Sequence, residues 1–196
     1  MAKRTITNAD RQRRSQELFF SRATQYYVSG RYAVLAGLIP VAGNLLHHAI
    51  EMYLKGALCK TMTLGELKGK FSHNLPKIWN DFKAQIEDSG LDSFDTLITS
   101  LHDFEELPYP DSVLSKGMAA MLGVKRLINA EVATPGVSVP THELYLEEID
   151  ALVDKIFHVA SVNPAFFVGR LNPKAREYLK EANVRTERLS TGRGRH

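Results

Sequence analysis

Cysteine is almost absent from this 196-residue chain, where Cys59 stands alone. One cysteine forms no intramolecular disulfide and no Cys-based metal site. At the end of an apolar helical pattern it reads as a small buried residue. A reducing, cytoplasmic setting fits. Long apolar runs are missing too: no segment approaches the roughly 20 residues that span a bilayer. The basic opening, residues 1–16, is followed by neither an apolar h-region nor a small-residue cleavage site, so a native cytosolic N-terminus is expected. Walker-type and G-x-G-x-x-G loops, H-E-x-x-H, H-x-x-x-H and the G-x-S-x-G elbow are all absent. The usual phosphate cradles, zinc-protease helices and hydrolase elbows are therefore excluded, and no cofactor is expected.

What is present is ordinary globular composition, 44% hydrophobic and 24% charged. A chain of this length buries a sizeable core without covalent staples. The net charge of +3 is unevenly spread. Residues 1–60 carry nine basic against three acidic side chains, and residues 166–196 carry eight against three. Residues 71–115 reverse this, with two basic against nine acidic. The ends suit nucleic acid or an acidic partner, or they are simply solvated, while the middle repels such a partner.

Apolar periodicity predicts a mostly helical chain. A first helix is expected over 10–36, capped by Asn8 or Asp10, with Gly30 as a weak point. A second begins with Pro40 in its first turn and runs to about Lys60, burying Leu46, Ile50, Tyr53, Leu54 and Ala57. Residues 61–72 are expected as a connection. A third helix is capped by Asn74 and carries Leu75, Ile78, Trp79 and Phe82 on one face. A fourth is capped by Asp92 or Ser93. Residues 112–140 are ambiguous between a short helix and strands. A further capped helix is expected to open at Thr141, followed by a shorter stretch from Asn163 to about Ala182. Short connections favour antiparallel packing.

One constellation stands out. His47, Glu51 and Lys55 follow one another at i, i+4 and i+8, and so share a face of the second helix. His48 lies three residues before Glu51, so the carboxylate can serve either histidine. His73 sits at the mouth of the third helix, where the chain folds back. Two readings stay open. Glu51 and Lys55 form a plain helix ion pair and His73 fixes the loop, or the histidines face a groove and take part in binding. Adjacent histidines point about 100° apart on a helix, so no metal site is expected.

The segments HHAIEMYLKGAL (47–58) and FSHNLPKIW (71–79) resemble the HEPN superfamily, whose core pairs an E-x-x-L-K helix with a helix opening H-D/N-L. Glu51, Leu54, Lys55, Gly56 and Leu58 match the first, and His73, Asn74, Leu75 and Ile78 the second. The lead-in RATQYYVSGRYAVLAG is of the same type, and the likeness covers roughly residues 15–110. It implies an all-α fold with an antiparallel four-helix bundle over 10–110. It says little about residues 112–196, where the residue pattern itself predicts additional C-terminal helices packed on the bundle over 111–183 and a disordered basic tail over 184–196.

Many relatives are metal-independent endoribonucleases, usually homodimers, that use an Arg-x(4–6)-His motif. No arginine here has a histidine five to seven positions later. Where many relatives read Leu-Arg-Tyr-Pro, this chain has Leu107-Pro108-Tyr109-Pro110. Proline supplies neither charge nor donors to a phosphate. The resemblance therefore implies a non-catalytic binding or dimerisation module. Its ligand would be RNA or a nucleotide. Its setting would be a toxin–antitoxin or phage-defence system, with a nucleotidyltransferase as a partner. The candidate groove or ligand-binding residues are His47, His48, Glu51, Lys55, His73 and Tyr109. The alternative is an RNase with a rearranged site, pairing His73 or His47 with Arg31 or Lys55.

Overall fold

The computed structural model describes residues 7–86, 89–104, 119–123, 141–183, 185, 188 and 189. It is predominantly helical. Helix α1 spans Asn8–Leu35 and α2 spans Ile39–Leu58. Thr7, not Asn8 or Asp10, caps α1. Its hydroxyl accepts from the Asp10 amide while Asp10 reaches back to the Thr7 amide. A Cβ at Gly30 would lie 2.8 Å from the Leu46 side chain, and one at Gly56 would lie 2.7 Å from Phe20. Position 30 thus faces 46 while position 20 faces 56, so α1 and α2 run antiparallel. The two glycines let them approach closely. The expected stripe of α2 is buried in full, from Leu46 to Ala57.

Residues 61–72 are not a plain connection. Thr63 caps a short helix α3, Leu64–Phe71, in a second capping box with Glu66. T-x-x-E is the sequence signature of that box, and it outweighs the helix-weakening Gly65 and Gly69. Leu67 and Phe71 anchor α3 in the core. Helix α4, Leu75–Gln85, starts as expected, with Asn74 accepting from the Lys77 amide. A 3₁₀ turn, Ser89–Phe94, leads into α5, Asp95–Asp103, so neither Asp92 nor Ser93 is its cap. Trp79 ties α4 to α5 by donating its indole N–H to Asp95 at 2.6 Å.

The C-terminal part departs further from expectation. Ala119–Gly123 (β1) pairs in parallel with Thr141–Tyr145 (β2), in the register Ala119↔Thr141 to Gly123↔Tyr145. Thr141 therefore opens a strand rather than a helix. Glu143 lies two residues after Thr141, one short of the capping-box spacing. Within THELY, Leu144 turns inward while Glu143 is exposed, the alternation of a strand. Helix α6 begins at Leu146 and ends at Val159, with Leu146, Ile149, Leu152, Val153, Ile156 and Phe157 buried. The last helical stretch is two pieces, α7 (Ala165–Val168) and α8 (Pro173–Lys180).

These elements share one core with the first two helices. The Phe20 ring lies 5.2 Å from Phe157 and 5.7 Å from Phe167, and Tyr53 lies 5.1 Å from Phe157. A buried ion pair joins Arg31 of α1 to Asp150 of α6. The Tyr27 hydroxyl donates to the same carboxylate oxygen at 2.5 Å. Arg31 also donates to the Glu181 carbonyl. Inside the stretch expected as a disordered tail, Arg188 Nε lies 3.0 Å from Asp154 and Leu189 is buried. Most of that stretch lies outside the described residues.

Candidate functional site

Glu51 is the hub of the polar stripe on α2, and it is fully buried. Lys55 Nζ donates to its Oε1 at 2.6 Å. Three histidines approach its Oε2: His73 Nδ1 at 3.2 Å, His48 Nδ1 at 3.4 Å and His47 Nε2 at 3.9 Å. The i+3 and i+4 spacing of α2 brings His47, His48 and Lys55 to the carboxylate. The α3–α4 turn brings His73. The Lys55 ammonium also donates to the Ser72 carbonyl at 2.8 Å, which pins that turn to α2.

Burial pushes the Glu51 carboxyl up, because the carboxylate loses its hydration. Hydrogen bonds from His48 and Lys55, the Lys55 charge and the bond from His73 outweigh it. They lower the carboxyl to about 2. Glu51 is therefore ionised at neutral pH and is no proton donor. With the carboxylate accepting, the facing histidine Nδ1 atoms are the donors.

Ser72 adopts φ 48 and ψ −123, a conformation suited to glycine. Such a residue stores about 1–3 kcal/mol and persists where its surroundings hold it. Here the Lys55–Ser72 bond does so. The strained turn carries Ser72 and His73 to the rim of a cleft of about 470 Å³, lined by Phe19, Lys55, Leu64, Leu67, Lys68, Ser72 and His73. One wall is apolar and aromatic, Lys68 and His73 are exposed beside it, and the buried Lys55 completes the lining.

The expected groove residues separate into two groups. His48, Lys55 and His73 join Glu51 at or beside the cleft. His47 does not face a groove: it is fully buried, with Nδ1 3.1 Å from the Leu101 carbonyl, and links α2 to α5. Its position on the stripe turns it inward, where its ring lies 5.9 Å from that of His102. Tyr109 and Pro108 lie outside the described residues. Arg31, the arginine of the alternative nuclease site, is fully buried against Asp150 and out of a substrate's reach. Cys59 is buried as expected, and burial pushes its thiol up to about 11, which makes it a poor nucleophile.

Sequence reasoning missed Phe19 and Lys68. The overlooked capping box of α3 was the signal for Lys68, because a helix there sets it on the cleft. The expectation of no metal-ligand grouping rested on pairs within one helix. The fold adds His73 from across a turn, and His48, Glu51 and His73 each offer a ligand atom within 4.8 Å of the others. Among the described residues no helix is long and apolar enough to cross a membrane. No family model, no curated protein and no solved structure matches the chain.

Proposed function

We propose that the chain is a HEPN-like binding module that takes a nucleotide or single-stranded RNA in the cleft between α1, α2 and α3. The observation that carries this reading is the composition of the cleft wall and rim. Phe19 and Leu64 offer a surface for a base, while Lys68 and His73 offer cationic or donor groups for a phosphate. Stacking on an aromatic face and phosphate contacts to lysine are the two parts of sequence-tolerant recognition. The excess of basic residues over 1–60 favours approach of a polyanion.

Binding is preferred to cleavage because the residues of the family's nuclease motif are missing from the sequence and Arg31 is sealed in the core. The rearranged nuclease survives only as His73 with Lys55, which do share the cleft. The resemblance adds a homodimer and a nucleotidyltransferase partner from a toxin–antitoxin or phage-defence setting. Light scattering and co-purification with a neighbouring gene product test these two.

Fluorescence polarisation with a labelled single-stranded RNA tests the binding itself. Lys68→Ala and His73→Ala sit on exposed positions and leave the fold intact. Each is expected to weaken binding, and Lys68→Ala to flatten the salt dependence. Unchanged affinity in both variants would refute the cleft. Cleavage of the same RNA by wild type but not by His73→Ala would restore the nuclease reading.

A further inference from the structure

We infer that His48, Glu51 and His73 form a site for one divalent transition-metal ion of the zinc, cobalt or nickel class. The inference goes beyond phosphate binding and needs no nucleotide. Two imidazole nitrogens and one carboxylate oxygen are the donor set such ions prefer.

The spacing fits. A tetrahedral zinc with bonds of about 2.0–2.1 Å holds its ligand atoms about 3.3–3.4 Å apart. His48 Nδ1 lies 3.4 Å and His73 Nδ1 3.2 Å from the one oxygen Oε2. Both exceed the usual 2.9–3.0 Å of an N–H···O bond. One donor atom from each residue lies within 4.8 Å of the other two, so the third edge closes with a small ring rotation. His73 is free to make it, because its side chain is 62% exposed.

The carboxylate is prepared for the role. Lys55 occupies Oε1 at 2.6 Å and leaves Oε2 to the histidines. That fixes Glu51 as a one-oxygen ligand, held from outside the coordination sphere. Three protein ligands leave a fourth position for water, the pattern of an open rather than a closed site. Binding replaces the two Nδ1–H···Oε2 bonds: each ring carries its proton on Nε2 and offers a bare Nδ1 to the ion. The sequence concealed the site because only His48 and Glu51 are near neighbours in the chain.

The test is titration of the full chain, stripped with EDTA and dialysed, with Co²⁺ and Zn²⁺ and without RNA. The expected result is one equivalent of Co²⁺ giving the intense visible absorption of a tetrahedral site, displaced by Zn²⁺. His48→Ala and His73→Ala each weaken binding by at least the roughly 10–100-fold that outer-sphere changes alone produce. His158→Ala, a change at an exposed histidine of α6, binds as wild type. Absence of a one-equivalent site, or full affinity in both His48→Ala and His73→Ala, would overturn the inference. RNA binding by a protein that takes no metal would leave the cleft standing and remove only the metal site.

Discussion

Replacing Glu51 by glutamine probes the hub of the stripe directly. Glutamine keeps the size and an oxygen for Lys55 but removes the charge. The carboxyl falls from an ordinary 4.5 to about 2 in the folded chain. A depression of that size corresponds to about 3 kcal/mol of stability. The side chain is fully buried, so bulk solvent does not screen the effect. The sign follows from a folded value below the unfolded one. The contribution is fully present above about pH 4.5 and is lost as pH falls towards 2, with about half left at pH 3. Urea unfolding of wild type and Glu51→Gln at pH 7 should therefore differ by about 3 kcal/mol. For a chain of this size that lowers Tm by roughly 6–12 °C. At pH 3 the gap should halve. An equal gap at both pH values would refute the electrostatic origin, and a negligible gap at pH 7 would refute the hub itself.

Three further outcomes follow from the packing. Asp150→Ala leaves Arg31 buried without its anion and should cost about 3–5 kcal/mol by chemical denaturation, while Arg31→Met with Asp150→Leu recovers most of that; a single-variant loss under about 1 kcal/mol would contradict the buried pair. Ser72→Gly relieves a left-handed backbone and should raise stability by about 1 kcal/mol, read as a higher urea midpoint. Gly56→Ala gains helix propensity but drives a methyl to within 2.7 Å of Phe20, so a net loss of about 1–3 kcal/mol is expected; a higher Tm would show that α1 and α2 can separate there.

The helical elements with strong periodicity were legible in the sequence. The stripe of α2, the Asn74 cap of α4 and the buried face of α6 all lie where 3.6-residue spacing and capping chemistry place them. Helix α3 was hidden behind two glycines, although Thr63 and Glu66 announced it. Residues 141–145 failed for another reason. A strand forms there through pairing with 119–123, and no local pattern reports a partner some twenty residues away. The site was half legible. Spacing along α2 collected His48, Glu51 and Lys55, but it also suggested a groove position for His47, whose burial depends on where α5 packs. Arg31 looked available because arginines are seldom buried, and its anion lies 119 residues away. Phe19 reaches the cleft only through the tertiary fold, whereas the capping box of α3 was the local signal for Lys68.

Photocrosslinking of the full chain to a 4-thiouridine-labelled single-stranded RNA, with the modified peptides mapped by mass spectrometry, locates the ligand most directly. A nucleotide seated in the cleft predicts adducts on the peptides that carry Phe19 and residues 64–73. Adducts confined to the basic residues after 184, with none near the cleft, would contradict it.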